Sequence, residues 1–170
     1  MTNVYQFKLN FEVRDYECDF QGIVNNAVYQ NYLEHTRHVF LKQQGIDFVE
    51  LSRSGIDLVV IRVEIDYRYP LRPADKFYVG LNFERVSRLR FGFLQDIFRL
   101  PDERPILKAK IIGTSLNEAG RPYLPKEVEA IFIRSIQGGA ESSASDSHAV
   151  ISSSKWAQRE KPSARNNLSP

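Results

Sequence analysis

The chain has 170 residues, with 23 Lys and Arg against 21 Asp and Glu and a formal net charge of +2. That length suits one well-buried domain. The near-balanced charge lacks the positive field of a dedicated nucleic-acid binder, and no run approaches the roughly 18 consecutive apolar residues of a membrane-spanning helix. Neither nucleic acid nor a membrane is therefore expected as a partner, and Cys18, the only cysteine, excludes an intrachain disulfide and any zinc site built on several thiolates.

Tyr5, Phe7, Leu9, Phe11 and Val13 alternate with polar residues, the period-two pattern of a strand with one buried face. The same alternation lacks the basic start and apolar block of a secretion signal, so a cytoplasmic location is expected. After a polar loop the period changes. Tyr29, Leu33, Thr36 and Phe40, with Tyr32 and Val39 beside them, share one helical face, which predicts a long helix over about 27–44, capped by Asn25 or Asn26 and ended at Gly45. Asp47 and Glu50 predict a short second helix ending at Gly55.

Alternation returns over 61–69, with Ile61, Val63, Ile65, Tyr67 and Tyr69 on one side, until Pro70 and Pro73 break the ladder. Three further strands are predicted over 77–86, 91–100 and 106–116, and their short links imply antiparallel pairing. One strand, one long helix and four strands make an α+β subunit in which the helix covers the sheet's inner face. Beyond Ile136, glycine and serine runs predict a disordered tail over 137–170, leaving a domain over 1–136. Trp156 is the one large aromatic in that tail.

The segment Asp19-Phe20-Gln21-Gly22-Ile23-Val24-Asn25-Asn26-Ala27-Val28-Tyr29 leads directly into the long helix. A carboxylate there can activate water or attack a carbonyl, and the helix's first turn offers backbone N–H donors where charge develops on oxygen. Gly22 permits a tight bend or a close ligand approach. Asp19 and the asparagines equally suit ordinary turn and cap positions, so residue types alone leave both readings open. His35 and His38 read as packing or surface residues, and Cys18 as a small buried hydrophobe without a nearby histidine to activate it. Arg85, Arg88 and Arg90 form one basic cluster and Arg68 and Arg72 another. Either could meet phosphates or simply line a solvated turn. Glu64 and Asp66 suit sheet-surface or interface pairing.

Residues 13–37, with the Asp-x-x-Gly-Ile-Val-Asn-Asn core and the following Tyr29 and Tyr32-Leu33-Glu34, resemble the 4-hydroxybenzoyl-CoA thioesterase family of hot-dog proteins. Pro70-Leu71-Arg72-Pro73-Ala74-Asp75 and Gly120-Arg121-Pro122-Tyr123-Leu124-Pro125 are similar to later landmarks of that family. The resemblance implies a hot-dog fold, a curved antiparallel sheet wrapped around one long helix. It also implies hydrolysis of an acyl-CoA, a homodimer or homotetramer, and no metal or other cofactor. Asp19 takes the role of nucleophile or general base and the Asn26 amide that of oxyanion donor, with Gly22, Ile23, Val24, Asn25 and Tyr29 around the substrate. An acyl-carrier-protein substrate and a non-catalytic acyl-CoA binding module are the alternatives. No histidine lies near Asp19, which disfavours dehydratase chemistry. Tyr29, Tyr32, Phe91 and Phe93 suit either an acyl tunnel or plain core.

Overall fold

The computed structural model describes residues 4–137; of the tail expected over 137–170, Gln137 closes the last helix and the rest, with Trp156, lies outside the described residues. In chain order the elements are β1 (Phe7–Glu12), a single 3₁₀ turn (Asp15–Glu17), α1 (Asn26–Gln43), α2 (Phe48–Arg53), β2 (Asp57–Tyr67), β3 (Lys76–Arg85), β4 (Arg90–Leu100), β5 (Arg104–Leu116), β6 (Pro122–Tyr123) and α3 (Lys126–Gln137). No helix of the described residues is long and apolar enough to cross a membrane.

All strand pairs are antiparallel, in the order β1-β3-β4-β5-β2, with the short β6 on β5. Alternation then sorts the faces. Phe77, Val79, Leu81 and Phe83 of β3, Phe91, Phe93 and Ile97 of β4, and Leu107, Ala109 and Ile111 of β5 are buried on the inner face. Helix α1 lies on that face through Tyr29, Tyr32, Leu33, Thr36, Phe40 and Leu41, so the predicted helical face is the buried one. Asn25 is the residue that caps it, its Oδ1 accepting from Ala27 N at 2.9 Å. Gly45, at φ +85°, ends it in the left-handed region that favours glycine. Asp47 caps α2 through Val49 N and Glu50 N.

The structure corrects the reading of two elements. Strand β2 begins at Asp57, four residues before the expected start at Ile61. A bulge between Val60 and Arg62 makes Ile61 an extra residue and resets the alternation. Thus Leu58 and Val60 share the inner face with Val63, Ile65 and Tyr67, and Tyr69 lies past the strand with Arg104 4.3 Å from its ring. Helix α3 had no counterpart in the sequence reading. It places Val128, Ile131 and Phe132 against the core, Phe132 stacks on Phe83 at 4.8 Å, and Arg134 donates to Gln44 O at the end of α1.

The candidate active site at the start of the long helix

The loop before α1 is fastened at several points. Cys18 and Val24 form an antiparallel bridge, Asp19 N donates to Ile23 O at 2.9 Å, and Gly22 N donates to Asp19 O at 3.0 Å. Gly22 has φ +70° and a Cβ there would meet open space, so the residue is required by the turn. This hairpin sets Asp19 opposite Ile23, two residues before the cap Asn25, while Glu17 faces Asn25 itself. Asp19 is partly exposed. Its Oδ1 accepts from Gln21 N at 2.8 Å, and among the described residues its Oδ2 has no hydrogen-bond partner.

The helix start is equally defined. Asn25 N donates to Glu17 O, Val28 N donates to Asn25 O, and Ala27 N is taken by the cap. That leaves the Asn26 N–H without a partner among the described residues. It belongs to an exposed residue at the positive end of an 18-residue helix. The Asn26 carbonyl accepts from Tyr67 Oη at 3.1 Å, which ties the helix start to β2.

The other expected site residues divide by depth. Gly22 and Asn25 are exposed and Ile23 is half-buried. Val24 and Tyr29 belong to the core, each 3% exposed. Val24 N donates to Leu71 O and Tyr29 Oη accepts from Leu71 N at 2.9 Å, so the loop after β2 grips this pair from both sides. Burial raises the Tyr29 pKa above its ordinary value, against a smaller lowering by the Leu71 bond. Burial, and then the carboxylates of Asp15, Glu17, Asp19 and Asp75, push the Cys18 pKa above its ordinary value. Neither of the two described histidines adjoins Asp19. His35 lies edge-on to Phe11, and His38 stands 3.8 Å from Glu34 with its pKa lowered by burial.

Sequence reasoning missed Glu17, Leu71 and Tyr67. Glu17 is 9% exposed. Its Oε2 accepts from Tyr32 Oη at 2.7 Å and Arg14 N at 2.8 Å, while Arg14 Nη1 stands 3.7 Å from Oε1. Burial, then the bond to Glu17, pushes Tyr32 far above the ordinary phenol range. Of the basic clusters, Arg85 is bonded to Glu129 at 3.0 Å and lies over Phe132. Glu64 pairs with Arg62 on the outer side of β2.

Beside this site part of the inner face is uncovered. Val60, Ile61, Val63 and Tyr67 of β2 are 43–50% exposed. They form an apolar strip along the sheet's open edge, next to the flank of α1 that carries Asn26.

Residues 13–132 match the thioesterase-like superfamily. The chain is 41% identical over 127 residues to the acyl-acyl carrier protein thioesterase ATL3, chloroplastic, of Arabidopsis thaliana, covering 74% of this chain and 67% of that protein. The crystal structure of a hypothetical protein from Aquifex aeolicus superposes with a TM-score of 0.68 at 31% identity, covering 74% of this chain and 98% of the other. A 1,4-dihydroxy-2-naphthoyl-CoA thioesterase from Synechocystis shares the fold, with a TM-score of 0.70 at 17% identity and coverages of 75% and 95%.

Proposed function

Given that this chain belongs to the thioesterase-like superfamily, and is thus a thioester hydrolase of the hot-dog fold, we propose that it cleaves an acyl-CoA to the free acid and coenzyme A. Asp19 acts as base or nucleophile. The observation that carries this reading is the unpartnered Asn26 N–H at the helix start, with the partly exposed Asp19 carboxylate on the hairpin that leads into it.

In the general-base route Asp19 takes a proton from water as the oxygen attacks the thioester carbonyl carbon. The carbonyl oxygen gains negative charge facing the Asn26 amide and the helix dipole. Collapse of the tetrahedral intermediate breaks the carbon–sulfur bond, and the leaving thiolate receives the proton from Asp19. In the nucleophilic route an Asp19 oxygen bonds the carbonyl carbon directly, coenzyme A leaves, and water hydrolyses the resulting anhydride. A single turnover in ¹⁸O water separates them, since only the nucleophilic route can leave label in the Asp19 carboxylate.

The uncovered strip on β2 supports two further parts of the proposal. The acyl group lies along it from the helix start, as apolar surface next to a polar reaction centre suits. A second copy of the chain pairs at the same open edge, as exposed strand edges demand. The 41% identity to an acyl-carrier-protein thioesterase favours a second reading, in which the same acyl thioester arrives on a carrier protein.

The test is thiol release from matched acyl-CoA and acyl-carrier-protein thioesters, with wild type and Asp19→Asn. The variant is expected to fold and to lose roughly 10²- to 10⁴-fold in kcat, the range of a positioned acid–base group. Unchanged kcat removes Asp19 from the mechanism. A kcat/KM higher on the carrier-protein thioester selects the second reading, and binding of acyl-CoA with no turnover by wild type would make the protein a binding module.

A further inference from the structure

Helix α1 carries a cation into the molecule. Arg37 is half-buried, its guanidinium stands 5.8 Å from the centroid of Phe93, and its Nη1 donates to Gln95 Oε1 at 3.0 Å. Gln95 is fully buried, and its Nε2 donates to Leu33 O at 3.0 Å, so its orientation is fixed with the acceptor toward Arg37. Among the described residues no carboxylate lies within ion-pair distance of Arg37. Burial lowers its pKa, with only Glu34 opposing. A guanidinium has five N–H donors, and a desolvated cation without a counter-ion is costly.

The position of this cation follows from the helix and the sheet. At about 100° per residue, Asn26, Gln30 and Arg37 fall within about 40° of one another around α1. This flank turns toward β2, because Asn26 O meets Tyr67 there, whereas His35 on the other flank meets Phe11 of β1. Across the sheet Gln95 pairs with Ala109 and Ala109 with Ile65. Phe93 pairs with Ile111 and Ile111 with Val63. Arg37 is thus level with Ile65 and Val63, two to four residues along β2 from the Tyr67 that marks the helix start. Along the helix itself, 11 residues at about 1.5 Å each separate Asn26 from Arg37 by about 16 Å, and a side chain leaning back toward the N-terminus brings the span to roughly 10–16 Å. An extended chain of single bonds, advancing about 1.25 Å per carbon, covers it in about eight to thirteen carbons.

We propose that Arg37, oriented by Gln95, is a specificity-determining residue that binds a carboxylate at the far end of the acyl group, so that the preferred substrates are thioesters of medium-length dicarboxylic acids. The planar fork of a guanidinium suits a carboxylate, which it can meet with two parallel bonds. The inference rests on the thioesterase reading above and adds to it the class of acyl group.

The test compares octanedioyl-, decanedioyl- and dodecanedioyl-CoA with the monocarboxylic thioesters of equal length. In wild type, kcat/KM is expected to favour at least one dicarboxylic member tenfold or more. In Arg37→Gln that ratio falls by tenfold or more, and Arg37→Lys retains part of it, which a purely structural role would not produce. Equilibrium binding of free decanedioate against decanoate supplies a readout independent of turnover, with the preference again lost in Arg37→Gln. If all thioesters are hydrolysed without preference, or the ratio is the same in the variants, the Arg37 assignment is overturned while the thioesterase reading stands. An Arg37→Gln protein that changes oligomeric state with an unchanged ratio overturns it too, by assigning Arg37 to contact with a second copy. If none of the thioesters is hydrolysed but decanedioate binds through Arg37, the hydrolysis reading fails and the carboxylate site stands.

Discussion

Glu17 holds Tyr32 and the Arg14 amide with the same oxygen, Oε2. In Glu17→Ala the Tyr32 hydroxyl is left buried without that partner, and the expected cost is about 1–3 kcal/mol. It would be read as a lower urea midpoint with an unchanged slope. Glu17→Gln keeps a neutral acceptor and is expected to recover most of the loss. Tyr29 and Tyr32 both have pKa values raised above the ordinary 10.0 by burial. Because the folded state holds these protons more tightly than the unfolded chain, the stability tied to them is complete below about pH 10 and declines as pH rises beyond it. Denaturant titrations at pH 8 and above 10 should show the decline, and Tyr32→Phe should reduce it. At this scale the sequence displayed Asp19, Gly22 and the asparagine cap, whose roles follow from local backbone needs. It could not display Glu17, because an acid in a polar loop reads as solvated until the fold brings Tyr32 against it.

The strands and the two capped helices were legible because their periods are simple and their stops, Gly45 and Gly55, have the positive φ that favours glycine. The start of β2 was not, since one bulged residue at Ile61 hides the continuity of Leu58 and Val60 with Val63 and Ile65. Helix α3 was legible in principle. Val128, Ile131 and Phe132 stand at helical spacing after Pro125, inside the domain expected over 1–136, where no element is predicted. This helix is integral to the core through Phe132, which meets Phe83 and the Arg85 guanidinium. Phe132→Ala is expected to cost about 3–5 kcal/mol, the usual range for a buried aromatic. A thermal melt checks this. A loss near zero would show that α3 contributes little to the fold.

Among the described residues, the sheet edge at β2 leaves much of its apolar inner side exposed. Placing a charge there, as in Val63→Glu, is expected to shift the mass measured by light scattering toward that of a single chain and to lower activity with it. A mass unchanged by the substitution would move the contact between copies elsewhere. Within one chain, α1 is held at its start by Tyr67, at Leu33 by Gln95 and at its end by Arg134. Those three anchors come from β2, β4 and α3, which are far apart along the chain. A helix fastened in this way cannot fray or slide by a turn while the sheet stays intact. Amide hydrogens of 32–40 should therefore exchange with solvent deuterium only through opening of the entire structure, while those of the 19–23 loop exchange by its own local motion. In the proposed mechanism the Asn26 donor is then stationary, and the Asp19 carboxylate moves only when its own turn opens.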